Sequence, residues 1–313
     1  MAKIMRNVVL LAKIEAGSPG TDSLPAQGTD AMLAQVTNPQ PVVAEFVDRN
    51  IVRPYFGNSG KVQVSSRSEI EIEVELASSG AAGTKPAWSP LMQACAFGET
   101  NAPGVSTTYA PASTSLKTCT IYYYLDGLLH KMLGCRGDVT LELSAKAIPM
   151  LKFKFTGFYQ APTDTSLPAS PDYTKFKDPF PVNKLNTPTM TVHGITGAAS
   201  NFSIQMNNQI VYRNMIAVEA VDMIERKPSG SVSIEMTSVA NKAWHEAVRL
   251  GTTGAIQMIH GVGAGNIIQV DAPKVQLTDP SYVDIDGVAM LQLGLEFQPN
   301  GSSGNDEISI VVK

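Results

Sequence analysis

The stretch SEIEIEVELASSG, residues 68–80, sets Glu69, Glu71, Glu73 and Glu75 at every second position, with Ile70, Ile72, Val74 and Leu76 between them. Strict alternation over this length is the period of a half-buried β-strand, whose successive side chains point to opposite faces of a sheet. One face is oily and the other acidic, with neighbouring carboxylates roughly 7 Å apart, twice the rise per residue. No Lys or Arg lies within the alternation, so nothing in the stretch neutralises the acidic face.

On the N-terminal side, KVQVSS from Lys61 extends the strand signal. On the C-terminal side, WSPLMQACAFG places Trp88, Leu91, Met92 and Cys95 at spacings of three and four, with Phe97 following, which predicts one short helix with Pro90 tolerated in its first turn. The run TCTIYYYLDGLLHKMLGCRGDVTLELSAKAIPMLKFKFTGFY, residues 118–159, is β-branched, aromatic and alternating. It is punctuated by Asp126-Gly127, a strong hairpin signal, and by Arg136-Gly137-Asp138. At the start of the chain, MAKIMRNVVLLAKIEAG puts basic residues ahead of an apolar run. Val8 to Ala12 is too short for a signal peptide and reads as a first strand. Residues 16–60 are dense in Gly, Pro, Thr, Asp and Asn and read as a long extended excursion.

Residues 161–188 carry Pro, Ser, Thr and Asp with little periodicity, the composition of a linker. The chain beyond this linker repeats the pattern of the chain before it. GSVSIEMTSVANKAWHEAVRLG offers a period-2 strand, Ser231 to Thr237, ahead of a short helix marked by Trp244, as Trp88 marks the first. KVQLTDPSYVDIDGVAMLQLGLEFQP then matches DVTLELSAKAIPMLKFKFTGFYQAP in order: strand, turn, longer strand ending in an aromatic, Gln and Pro. The reading is an internal duplication, with a first domain over 1–160, a Pro-rich linker over 161–188 and a second domain over 189–313.

The chain has 313 residues, 43% hydrophobic and 17% charged, with a net charge of −4. That balance lacks the basic footprint of a nucleic-acid binder. Cys95, Cys119 and Cys135 show no CxxC spacing, so a metal site and a disulfide framework are not expected. His130, His193, His245 and His260 stand in no catalytic motif. GVGAGN, residues 261–266, lacks the full dinucleotide pattern and leads into a strand. Four equal glutamates on one strand provide no means of separating two pKa values, as glycoside hydrolysis requires. Lys152 and Lys154 alternate with Leu151, Phe153 and Phe155 as a strand with its lysines in water. No apolar run approaches the roughly 20 residues of a membrane span. The expectation is a structural protein, not an enzyme, with no cofactor and no membrane contact.

Two segments, EIEIEVELASSGAAGTKPAWSPLMQACAFGET and TIYYYLDGLLHKMLGCRGDVTLELSAKAIPMLKFKFTGFYQAPTD, resemble the tail tube (major tail) proteins of long-tailed bacteriophages. The resemblance is specific over residues 61–165, and the internal repeat carries it into the second half. It implies a mainly β fold, here two tandem tail-tube-like β-sandwich domains, each with a short flanking helix, plus long extended loops at 16–60 and 99–117 that bridge stacked rings. It also implies a virion protein, assembled in the host cytoplasm, that polymerises into the tube through which the genome passes. Its partners would be further copies of itself, the tape measure, the tail terminator and distal tail or baseplate proteins, with genomic DNA passing without specific binding.

Under that reading the acidic row Glu69, Glu71, Glu73 and Glu75 is expected on the inner wall, where carboxylates repel phosphates. The corresponding row of the second copy is Ser231, Ser233, Glu235 and Thr237, polar but hardly acidic. The competing placement turns these faces outward or toward a neighbour's Lys and Arg. Six domains from three chains give a pseudo-six-fold homotrimer; a hexamer with the second domain on the exterior is the alternative. A capsid-decorating or baseplate protein, or a carbohydrate-binding tail component, would share the motif-poor β character.

Overall fold

The glutamate stretch forms the end of a 15-residue strand, and its side chains split as the alternation predicts. Ile70, Ile72 and Val74 are at most 2% exposed while the glutamates between them are half-buried. Burying each such aliphatic side chain contributes about 1.5–3 kcal/mol, so this strand anchors its surroundings. In this computed structural model, which describes residues 3–313, strands make up 51% of the chain and helix 4%. The chain is mainly β, with large antiparallel sheets and two short helices, consistent with a β-sandwich.

The first half contains β1 (Val8–Ile14), β2 (Ala31–Met32), β3 (Gln35–Val36), β4 (Gln40–Asp48), β5 (Lys61–Glu75), α1 (Ser89–Ala94), β6 (Phe97–Ala102), β7 (Ser106–Pro111), β8 (Cys119–Leu125), β9 (Leu128–Ser144) and β10 (Met150–Tyr159). After β11 (Thr163–Asp164) come β12 (Thr189–Val192), β13 (Ile195–Thr196), β14 (Ala199–Gln205), β15 (Asn208–Met215), β16 (Val218–Arg226), β17 (Ser229–Glu235), α2 (Trp244–Arg249), β18 (Thr253–His260), β19 (Ile268–Ile285), β20 (Val288–Phe297) and β21 (Ser309–Val312).

The antiparallel pairings run in the same order twice. In the first half β1 pairs β8, β8 pairs β9, β9 pairs β10, β10 pairs β5, and β5 pairs β3 and β4. In the second half β12 pairs β18, β18 pairs β19, β19 pairs β20, β20 pairs β17, and β17 pairs β14. Each half also has a tryptophan at its helix whose indole N–H donates back to the chain just beyond the strand that precedes the helix. Trp88 donates to the Ala77 carbonyl at 2.8 Å and Trp244 to Thr237 Oγ1 at 3.1 Å. The halves join where β14 pairs with the far end of β9, Asn201 opposite Ser144 through Gln205 opposite Thr140. One hydrophobic cluster runs from Leu10 to Val312 through both.

Three local expectations change. Arg136-Gly137-Asp138 is no turn but lies inside β9; a Cβ on Gly137 would meet the Phe155 ring at 2.5 Å, so glycine here permits close packing of β10. The excursion over 16–60 contains β2, β3 and β4, and β4 with the start of β5 forms a projecting hairpin. The loop expected over 99–117 contains the second strand of the β6–β7 hairpin, which carries β21 of the second half on its edge. Asp126-Gly127 does close the β8–β9 hairpin, with both residues in the left-handed region that such a turn needs.

Candidate functional site

The acidic row does not stand alone. In β10, Lys152 lies opposite Glu73 and Lys154 opposite Glu71, on the same face of the sheet. Across the next strand Lys152 lies opposite Thr140, and Met150 opposite Glu142. Glu142 and Thr140 lie opposite Ser203 and Gln205 of β14. Ser203 and Asn201 lie opposite Ser231 and Ser233 of β17, which lie opposite Gly294 and Gln292 of β20. Because directly paired residues share a face, the two rows read from the sequence belong to one polar surface spanning β5, β10, β9, β14 and β17.

Its charge is mixed where the sequence stretch alone offered only carboxylates. Lys152 Nζ contacts Glu142 Oε2 at 2.7 Å, Lys154 Nζ lies 3.7 Å from Glu71 Oε1, and Arg67 Nε donates to Glu69 Oε1 at 2.8 Å. The bond to Glu142 raises the Lys152 ammonium above its ordinary value, which keeps it charged. Glu73, Glu75 and Glu235 form no ion pair among the described residues, so the face keeps an excess of negative charge. Asp138 at its margin is pushed up by burial, partly offset by the backbone N–H of Asn208, which donates to it at 2.9 Å.

In the second row Ser231 is half-buried and bonded to Ser203 at 3.0 Å, Ser233 is buried, and Glu235 is exposed. Thr237 departs from the row: β17 ends at Glu235, and the Thr237 hydroxyl is used by Trp244. This end of the strand turns toward α2, so the period-2 pattern does not continue.

One end of the face is covered by the β15–β16 hairpin. Arg136 Nη1 donates to the Val221 carbonyl at 2.9 Å and pairs with Asp222 at 3.2 Å. Asn208 Nδ2 donates to the carbonyls of Cys95 and Gly137, and Tyr212 OH donates to the Ser66 carbonyl. The β4–β5 hairpin projects beyond the sheet with an apolar surface. Phe46, Val47, Val62 and Val64 are each at least 50% exposed along it, and Val52 and Phe56 near its tip are fully exposed. Sequence reasoning missed this arm. Its signals were the alternation in QPVVAEFVD and KVQVSS.

The chemistry available is that of a surface. Among the described residues no cluster of metal-ligating side chains occurs, and no helix is long and apolar enough to cross a membrane. His193 Nε2 bonds the Val275 carbonyl, and His260 sits between Thr187 Oγ1 and the Phe180 carbonyl. Burial lowers both imidazoles below their ordinary value and favours their neutral forms. His130 stacks on Tyr123, and His245 bonds the Tyr282 hydroxyl.

A family model described as phage tail tube protein matches residues 5–299, nearly the whole chain. A comparison with curated proteins finds no match.

Proposed function

The chain belongs to the phage tail tube protein family, and from that premise we propose that it polymerises as stacked rings into the tail tube, the conduit for genome passage into the host. The observation that carries the reading is the twofold pairing order, with β14 joining the two halves through β9. One chain thereby offers two like units already joined side by side, and three chains offer six, the pseudo-six-fold homotrimer. Contacts that join unlike faces around a ring and repeat along its axis give a tube.

The polar surface from Glu69 to Glu235 lines the lumen in this reading. Its sparse negative charge and hydroxyls repel or slide past phosphates, where a basic wall would hold them. Glu69, Glu71, Glu73, Glu75, Ser231, Ser233 and Glu235 are its residues; Thr237 is left out because it serves Trp244. The exposed β4–β5 arm supports contact with an adjacent ring, since apolar surface of this extent marks an interaction site. Tape measure, tail terminator and distal tail or baseplate proteins meet the tube within and at its ends, and assembly takes place in the host cytoplasm. The test is electron microscopy of the purified protein over a range of concentrations. Hollow tubes support the reading; monomers or closed single rings at every concentration, with tail initiator present, contradict it.

A further inference from the structure

The join between the two halves has a second, unfilled counterpart. In the first half β9 has β10 along one side, while its other side is shared by β8 and then, from Thr140 to Ser144, by β14. In the second half β19 has β20 along one side from Val275 to Ile285, and β18 along the other only as far as Gln276. Beyond that point the β18 side of β19 is unpaired among the described residues. The matching free strand lies in the first half. β14 is paired on both sides, Ser203 with Ser231 and with Glu142, whereas Gln40 of β4 is paired only with Glu69.

We propose that the free far half of β19 receives residues 37–43 of a second copy of this chain, side by side in the ring. The inference rests on the tube reading above and names the contact that closes it. The register comes from the repeat. β10 and β20 are both ten residues long, and their third residues, Lys152 and Met290, stand opposite Glu73 and Glu235. Stepping along both strands, Glu69 and Ser231 hold the same place, so Gln40 and Ser203, their outer partners, do too. On the other side of these strands, the first residues Met150 and Val288 stand opposite Glu142 and Ile285. Ser203 faces Glu142 within the chain, so Gln40 of one copy faces Ile285 of the next. By the same steps Val43 faces Val283.

Both edges are available for this contact. Gln40 is exposed, Ile285 is 36% exposed, and the neighbouring Val42, Tyr282 and Val288 are each at least 47% exposed. At the filled join the equivalent strands bury Phe202, Ile204 and Leu143 to 3%. Unpaired edges of this kind invite promiscuous pairing. Pro39 and Pro41, which cannot donate to a ladder, flank Gln40 and limit what a stray strand could capture. The contact is head-to-tail, so each copy uses a different edge toward each neighbour, as a ring requires.

The experiment uses the full chain carrying Gln40→Cys and Ile285→Cys, assembled and then treated with a short bis-maleimide. The native thiols Cys95, Cys119 and Cys135 are at most 1% exposed and serve as an internal background. The double variant should give linked dimers and trimers on a denaturing gel at more than about tenfold the yield of either single variant, with no species beyond a closed trimer. Tubes that form normally but show no linkage above the single variants would overturn the contact and leave the tube reading standing. Absence of any assembly by the unmodified protein would overturn that reading instead. If the first pair blocks assembly, Val43→Cys with Val283→Cys tests the same register, and failure of that pair to link in assembled material rejects it.

Discussion

Ser203 stands directly opposite Glu142 on one side and Ser231 on the other, so a single residue of β14 ties the two halves into one sheet. Everything proposed for the lumen depends on this continuity, because it gives both polar rows the same facing. The seam is tight. A Cβ on Gly230 would run into the Ser203 carbonyl oxygen and press on the Phe297 ring.

Gly230→Val should therefore force β14 and β17 apart. Overpacking of this kind costs typically about 1–3 kcal/mol. The thermal midpoint of the unassembled protein should fall by several degrees, with tube formation impaired more than the stability loss alone explains.

A buried carboxylate holds the first half together at a second point. Glu15, 6% exposed, accepts from Thr118 Oγ1, Thr120 Oγ1, Gly134 N and Gly20 N at 2.6–2.9 Å. Glu15→Ala leaves these donors without an acceptor, each costing about 1–3 kcal/mol if it stays dry. Denaturant unfolding should show a loss of about 3 kcal/mol or more.

Charge reversal tests the wall. Glu71→Lys with Glu73→Lys sets new cations beside Lys154 and Lys152, a modest penalty for the sheet. Tubes should still form, but should retain duplex DNA at low salt and release it as salt rises. Unmodified tubes should retain none at either salt concentration, by sedimentation.

Acid should weaken the fold in a defined window. His193 and His260 have folded-state values below 6.5, principally through burial. Between those values and about 6.5 the unfolded chain binds more protons. Their contribution is thus complete above pH 6.5 and lost as pH falls through it. Melting midpoints of unassembled protein should decline from pH 7 to 5.5, before the carboxylates Asp22 and Glu99, lowered by hydrogen bonds despite burial, begin to protonate. His260→Gln should flatten that decline.

The arm tip offers a test of stacking apart from stability. Val52 and Phe56 are fully exposed, so Val52→Ser with Phe56→Ser should move the unfolding free energy by no more than about 0.5 kcal/mol. Rings should persist while tube length, measured by electron microscopy, collapses.

Local signals carried much of this structure. The alternation at Glu69–Glu75 located β5, Asp126-Gly127 located a hairpin, and the spacing after Trp88 located α1. Long-range pairing stayed hidden. The lysines that meet Glu71 and Glu73 lie about 80 residues away in β10, and no local pattern states that register. Gly137 looked like a turn because a glycine required for close packing and one required for a turn are the same letter. Thr237 fitted the period of its strand, but the indole of Trp244 claimed its hydroxyl. The exposed arm was concealed by its Pro and Asn content, which resembles a loop until its two strands are paired.

The two-units-per-chain ring is tested most sharply by the rotational symmetry of the tube, read from class averages viewed down its axis. Three-fold averages with six similar lobes around a hollow centre are predicted, two lobes for each chain. Six-fold averages with a ring of six inner lobes and six outer ones would place the second half on the exterior and contradict that arrangement.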